Sequence, residues 1–566
     1  MRDIARPNPV PAEVADALAS FSPHLQQLLY NRGVTTAATA KTFLEPSYDN
    51  HLHDPFLLPD IEVAVSRLRQ AIDQQETIVI FSDYDCDGIP GAVVLHDCLQ
   101  AIGHQNFVNV IPHRHYDGFG LSEANVAELV TQHAPQLIIT IDCGTSNVAA
   151  VAAATAAGVD MIITDHHEPG ESLPAALAVV NPKVGDTYPF PHLCGAAVVY
   201  KLCQALLQRG SYNVPVGTEK WWLDMVGIAT VADMVPLVGE NRVLAHYGLL
   251  VLRKSRRPGL QHLLRKQRTD QRTLTEDDIG FTIGPRINAA SRMDAPEDAF
   301  NLLATTDEGE AGASVTHLEQ LNTKRKTAVA TMTRELHQRI KLTTELPPVL
   351  VFGNPEWRPS LVGLAANKLA EEHDRPVFLW GRDGNQACKG SCRSNGTVSV
   401  VRLMEAIAER FVEYGGHHFS GGFTVVDEYI HTFGAALVDA HEALGNAAIV
   451  PATHTVDAVI TLDMIDRAFI NTQQQCAPFG IDNPKPLYLF EQVVPQAVER
   501  FGKQQEHTKL RFTTNGLARE AIAFFTTPER FSVVPQAGVP SNTLAHVEES
   551  YFMNRPQVRL RIVDIV

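Results

Sequence analysis

Residues 136–168 read QLIITIDCGTSNVAAVAAATAAGVDMIITDHHE, and how that stretch folds decides the architecture. Its ends, LIITI and MIIT, are short unbroken apolar runs, the pattern of strands covered on both faces. Between them SNVAAVAAATAAG opens at Ser146 and stops at Gly158, the punctuation of a helix. Strand, helix and strand in that order make a parallel crossover, so an α/β fold with a parallel sheet covered by helices is expected. The unit stands again one step earlier: AVSRLRQAID (64–73) reads as a helix, TIVIFS (77–82) as a buried strand and PGAVVLHDCLQAIG (90–103) as a helix closed by glycine.

In such a sheet ligands gather beyond the carboxyl ends of the strands. The three strands end at SDYDCDG (82–88), IDCG (141–144) and TDHHE (164–168), so Asp83, Asp85, Asp87, Asp142, Asp165, His166 and His167 all arrive at one edge. Any one of these aspartates alone could be a helix N-cap. Together they would repel one another severely without cations. Several carboxylates with one or two imidazoles suit Mn²⁺ or Mg²⁺, and the imidazole favours Mn²⁺. The donors suffice for two divalent ions roughly 3.5–4 Å apart, the arrangement that attacks phosphate esters.

The chain has 566 residues, enough for several domains. An N-terminal extension (1–60), packed on the residues directly after it, is expected, then the first α/β lobe (61–307), a long connecting helix (308–342), a second α/β lobe (343–449) and a small β domain (450–566). No apolar run is long enough to cross a bilayer, the opening residues carry no signal-peptide apolar core, so export is not expected, and eight cysteines without a CxxC pair read as reduced thiols in a cytoplasm. The net charge of −17 argues against coating nucleic acid through bulk charge. Local basic surfaces can still bind it; the stretch 251–273, with eight Lys or Arg against one Asp, is one candidate, although a solvated helix face would look the same. In the tail, alternation puts His507, Lys509 and Arg511 on one strand face and Arg559 and Arg561 on another, with Leu510, Phe512, Leu560 and Ile562 facing inward. Such faces suit the backbone of a single strand, as in OB-folds, though chance placement of surface lysine and arginine is the alternative. No GxxxxGK[ST] loop is present, so no ATP hydrolysis is expected.

The motifs SDYDCDG, IDCG, TDHH and VADMVP (231–236) resemble, in order, the four motifs of the DHH phosphoesterases. The chain further resembles the RecJ-type single-strand-specific exonucleases of that superfamily, through LLYNRGVTTAATAKTFLEP (28–46), IPHRHYDGFGLS (111–122), GPRINAASRMDAPEDA (284–299), GSCRS (390–394), GGHHFSGGFTV (415–425) and PFGIDNPKPLY (478–488). The resemblance implies a DHH lobe, a DHHA1 substrate-binding lobe and an OB-like β-barrel. It implies Asp85 and Asp87 as metal ligands, Asp142 as a bridge between two ions, His166 completing one site and Asp233 the other. Asp83 and Asp165 resemble supporting carboxylates, and His167 would face the scissile phosphate. Arg114, Arg286 and Arg292, with Asn288, would grip phosphate, although Arg292 could equally sit in a surface salt bridge; Ser391, Arg393, Gly415, Gly416 and His417 would hold a neighbouring nucleotide. Many relatives carry a His at the position of Phe81, so one metal would here have fewer protein ligands. The implied activity is removal of nucleotides from the 5′ end of single-stranded DNA in repair and recombination, by a monomer working with a helicase and a single-strand-binding protein. A DHH phosphodiesterase of short oligoribonucleotides or cyclic dinucleotides is a second reading, which the basic tail argues against. A non-catalytic single-strand-binding replication factor is a third, and intact carboxylates argue against it.

Overall fold

A computed structural model describes residues 4–444 and 453–566, apart from 119, 395, 397, 515, 553 and 554. The chain divides into two compact units, one of Leu52–Val235 with Val243–Val450, the other of Met1–His51, Pro236–Arg242 and Pro451–Val566.

The larger unit begins with the parallel sheet. Its strands are β1 (Ile78–Ser82), β2 (Phe107–Val110), β3 (Leu137–Ile141), β4 (Asp160–Thr164) and β5 (Ala178–Val180), in the spatial order β2-β1-β3-β4-β5. All four pairings are parallel. Every residue of β1 and β3 is buried, which explains the unbroken apolar runs. Helices α1 (Ile61–Asp73), α2 (Gly88–Ala101), α3 (Glu123–His133), α4 (Val148–Ala156), α5 (Gly195–Arg209) and α6 (Leu223–Ala232) supply the crossovers and cover. The strand order reverses between β1 and β3, and ligands bind at such a switch point.

Helix α7 (Gly284–Met293) leads on to α8, a 34-residue helix over Glu308–Lys341, whose first free amides, Gly309 and Glu310, donate to Asp307 at 2.7 and 2.8 Å. The second lobe holds β6 (Leu350–Gly353), α9 (Pro359–His373), β7 (Val377–Arg382), β8 (Cys388–Arg393), β9 (Phe411–Gly416) and β10 (Ser420–Val425). Its sheet order is β9-β10-β8-β7-β6; only β6 and β7 run parallel.

In the smaller unit β11 (Ala458–Val459), β12 (Tyr488–Val493), β13 (Ala497–Phe501), β14 (His507–Thr514), β15 (Leu517–Ala523), β16 (Ser541–Phe552) and β17 (Arg555–Ile565) form one seven-stranded sheet, ordered β11-β12-β16-β17-β15-β14-β13. Tyr488, Phe490, Leu510, Phe512, Val547 and Leu560 make its core with Phe469 and Ile470 of a short helix. The N-terminal residues, expected to pack on the lobe directly after them, group with this β domain instead. Leu18, Leu25, Leu28 and Leu29 share a buried cluster with Cys476 and Phe479, and Arg32 pairs with Asp457 at 3.0 Å while donating to Asn483 and Pro484. Short helices with one apolar face cannot make a core alone, so these residues borrow one. The expected boundary at 449/450 lies outside the described residues.

Candidate active site

Strand register assembles the acidic edge. Ser82 pairs with Ile141 and Ile141 with Thr164, so the next residues, Asp83, Asp142 and Asp165, begin the loops in one row. Their amides still belong to the sheet: Asp83 N donates to Ile141 O, Asp142 N to Thr164 O and Asp165 N to Val180 O. Asp142 then turns away with φ of 61°, a left-handed conformation that Asp tolerates better than most residues.

Two ligand candidates also serve as helix caps. Asp85 Oδ1 accepts the amides of Asp87 and Gly88 at the start of α2. Asp87, 1 % exposed, accepts Gly195 N at 2.6 Å and Ala196 N at 2.8 Å, the first free amides of α5. The two glycines are obligatory here. A Cβ on Gly88 would lie 2.4 Å from the Asp83 carbonyl oxygen, and one on Gly195 would lie 2.5 Å from Asp142 Cβ.

The side chains converge in overlapping groups. One donor atom each from Asp83, Asp85 and Asp142 lies within 4.8 Å of the others; the same holds for Asp87, His166 and Asp233, and for Asp142, His166 and His167. Asp142 therefore stands between the groups, with Oδ1 3.1 Å from His166 Nε2. His166 and Asp233, assigned by resemblance to opposite sites, share one donor group with Asp87, and Asp83 shares another with Asp85 and Asp142.

The electrostatics favour a bound cation. Burial, then the mutual charge of neighbouring aspartates, holds Asp83, Asp142 and Asp233 well above the ordinary carboxylate range and pushes Asp87 up to about 6. Burial and the neighbouring His167 charge depress His166 to about 3, so its ring is neutral and able to ligate. Asp83 Oδ1 and Asp142 Oδ1 are buried with no hydrogen-bond donor. Orphaned carboxylate oxygens facing a neutral imidazole are a donor set that fits divalent metal.

Asp165 has a different task. Its Oδ1 accepts the amides of His166 and His167 and the His167 ring at 2.8 Å, and its Oδ2 accepts Thr145 N. Burial opposes ionisation, but the His167 hydrogen bond and charge together with Thr145 outweigh it and hold Asp165 below the usual carboxylate range. Burial likewise opposes a charged His167, and the bond to Asp165 with the charges of Asp165, Asp83 and Asp87 raises its pKa nevertheless. Asn181, not singled out from sequence, donates to the His167 carbonyl and to Thr145 Oγ1, both at 2.9 Å, and so fixes this loop.

Beside the cage, a cleft of about 660 Å³ opens between the two lobes of the larger unit, lined by Arg114, Arg292, Ser391, Arg393, Gly415, Gly416 and His417 among others. Among the described residues none of the three arginines has a carboxylate partner. Burial, then the charges of Arg114, Arg325 and Arg393, pulls Arg292 down to about 9. It donates to the Ser360 carbonyl rather than forming a surface salt bridge. Arg393 donates to Ser391 Oγ at 2.7 Å. Gly416 has φ of 141° and packs on the Ser420 carbonyl, whereas a Cβ on Gly415 would meet nothing within 4 Å, so the room beside Gly415 is left for a ligand.

Two expected phosphate contacts belong elsewhere. Arg286 is buried, and its guanidinium donates to Glu319, Gln267 and the Thr282 carbonyl. Asn288 Oδ1 accepts Cys86 N at 3.1 Å, so it holds the first motif loop. The tail residues do share outward faces, yet three of the five face an acid across the sheet: Lys509 opposes Glu499, Arg511 opposes Glu520, and Arg559 opposes Glu548. Their ion pairs span 3.4–3.9 Å. His507 instead joins Phe501, Phe524 and the 71 % exposed Phe525 in an aromatic group, with Arg561 4.4 Å over Phe524.

Residues 77–230 match the DHH family, N-terminal domain; residues 346–443 match the DHHA1 domain; and residues 456–564 match the RecJ OB domain. The chain is 32% identical, over 99% of its length and 70% of the relative's, to the single-stranded-DNA-specific exonuclease RecJ of Bacillus subtilis (strain 168). It is 33% identical to the protein of that name from Escherichia coli (strain K12), over 74% of this chain and 75% of that one. The crystal structure of RecJ in complex with Mn²⁺ from Thermus thermophilus superposes with a TM-score of 0.83 at 27% identity, covering 100% of this chain and 80% of that one. The Mg²⁺ complex superposes with a TM-score of 0.77 at 25% identity, over 100% of this chain and 78% of that one.

Proposed function

Since the chain belongs to the RecJ family of single-stranded-DNA-specific exonucleases, we propose that it hydrolyses phosphodiester bonds of single-stranded DNA from the 5′ end, in repair and recombination. One observation carries this reading: orphaned carboxylates and carboxylate-free arginines lie side by side, within reach of each other's charge.

Two divalent cations, held by Asp83, Asp85 and Asp142 on one side and by Asp87, His166 and Asp233 on the other, would supply a water acidic enough to attack phosphorus and would offset phosphoryl charge. His166 tips the preference toward Mn²⁺ over Mg²⁺. Asp142 would serve both sides, and Asp85 and Asp87, which fix the starts of α2 and α5, would ligate as well. His167, oriented by Asp165, donates a hydrogen bond to a phosphoryl oxygen; its raised pKa keeps that proton available. Arg114, Arg292 and Arg393 grip phosphate in the cleft, with the Gly415 amide and His417 beside them. Arg286 and Asn288 act only by positioning α7 and the first loop. In the β domain, His507, Phe525 and Phe524 under Arg561 contribute base stacking, and Lys509, Arg511 and Arg559 a screened polar rim.

The enzyme acts as a monomer. It needs no ATP itself and relies on a helicase and a single-strand-binding protein to present its strand. A cytoplasm suits its eight buried, unpaired cysteines. Among the described residues no helix is long and apolar enough to cross a membrane. The test is incubation of the purified chain with Mn²⁺ and end-labelled single strands of DNA and RNA. Mononucleotides released from the DNA 5′ end are expected; cleavage confined to two- to five-residue oligonucleotides, or binding without products, would overturn the proposal.

A further inference from the structure

Away from the cage, a second set of metal-ligating side chains lies where the connecting helix packs on the second lobe. Met332, Leu336 and Ile340 of α8 share a buried cluster with Leu361, Ala365, Leu369 and Ala370 of α9. His337 follows Leu336, and Glu372 and His373 close α9, so all three stand at one rim of that apolar contact. One donor atom from each lies within 4.8 Å of the other two, and all three residues are partly buried. His337 Nε2 is 2.6 Å from Glu372 Oε2.

We propose that His337, Glu372 and His373 form a separate cation site of the zinc class, which fastens the connecting helix to the second lobe. Two imidazoles and one carboxylate are a set that Zn²⁺ accepts with three protein ligands and a fourth position left to water. The composition differs in kind from the cage, where aspartates predominate, and imidazole-rich sites favour late divalent transition metals over Mg²⁺ and Mn²⁺. Two packed helices present the donors, so little chain ordering opposes binding. The site is open at its edge, with the His337 side chain 37% exposed and that of Glu372 11% exposed. Ligation through His337 Nε2 uses that nitrogen's lone pair in place of its contact with Glu372 Oε2, with the neutral ring carrying its proton on Nδ1.

The experiment uses full-length protein carrying Asp142→Ala, which weakens the cage, beside the unmodified chain. Each is stripped of metal, saturated with Mg²⁺ and titrated with Zn²⁺ against a chromophoric chelator. About one zinc equivalent is expected to survive Asp142→Ala, beyond whatever zinc the cage of the unmodified chain takes up. Adding His337→Gln or His373→Gln should weaken that zinc at least about tenfold, since even changes outside a metal's direct ligands reach that size. Zinc should also raise the melting temperature of the Asp142→Ala chain and not of its His337→Gln derivative, a comparison that stands even if one glutamine variant folds poorly. Equal zinc binding with and without His337 and His373, or zinc held by the unmodified chain and lost entirely in Asp142→Ala, would overturn the proposal and leave the exonuclease reading untouched.

Discussion

Gly195→Ala puts a methyl group 2.5 Å from Asp142 Cβ and 2.7 Å from its Oδ1. Neither partner can yield easily. Asp142 N is bonded to Thr164 O on the buried edge of β3, and Gly195 N and Ala196 N are bonded to Asp87. The start of α5 must back away by roughly 1 Å, which overpacks the site at a cost of about 1–3 kcal/mol. Asp87, bonded to both of those amides, is carried along, and displacing a catalytic carboxylate by about that distance lowers turnover on the order of 10²-fold. The assay is kcat/KM on 5′-labelled single-stranded DNA with Mn²⁺, alongside a thermal melt. The control is Gly415→Ala, whose Cβ meets nothing within 4 Å, so the melt is unchanged and only KM rises as room for phosphate shrinks. A Gly195→Ala enzyme within about twofold of wild-type kcat/KM would refute the close packing of α5 on Asp142 and with it the geometry of the cage.

Asp142→Ala abolishes turnover while single-strand affinity, measured by fluorescence anisotropy, stays within a few fold. Arg286→Met leaves KM unchanged but costs about 1–3 kcal/mol of stability in denaturant melts because it removes a buried guanidinium's bonds to Glu319, Gln267 and the Thr282 carbonyl, whereas Arg393→Ala raises KM and leaves the melt alone. Chelation stops hydrolysis, and Mn²⁺ affinity rises by about 5–150-fold when single-stranded DNA fills the cleft, a reciprocal coupling readable by calorimetry. His24, stacked on Phe469, is depressed to about 4 by burial, partly offset by the Asp457 charge. Its neutral form is the folded one, so as pH falls from about 6.5 toward 4 the unfolded chain gains the proton first, and up to about 3 kcal/mol of stability is lost. His24→Phe should flatten that slope in urea titrations.

The parallel lobe was legible because burial on both faces leaves an unmistakable pattern, and because strand ends in such a sheet are neighbours by construction. That places Asp83, Asp142 and Asp165 in one row from the sequence alone. Which acids share a side was not legible, since it turns on rotamers and on α5 reaching over to Asp87. Arg286 and Arg292 lie six residues apart on α7 and so point in different directions. One is spent on Glu319 and the other enters the cleft, and their motif alone does not say which. The tail shows the same limit. Alternation correctly turned Lys509 and Arg511 outward, but Glu499 and Glu520 come from other strands, and cross-strand neighbours are set by register.

The cage and the cleft show why a net charge of −17 does not argue against a nucleic-acid enzyme. Bulk charge governs long-range approach, but at the distances of a bound phosphate the local arrangement decides. Asp83, Asp142 and Asp233 cannot all ionise comfortably alone, and Arg292 cannot stay charged comfortably alone. Pairing them with each other would satisfy both sets and leave nothing for a ligand. The fold prevents it: Asp85 and Asp87 are tied to helix starts, Arg393 to Ser391, and Arg292 to the Ser360 carbonyl. Each set is thereby left incomplete in the opposite sense, one wanting cations and the other an anion. A phosphodiester with its divalent ions is the ligand that completes both at once, and the stability forgone in keeping them apart reappears as affinity for that combination.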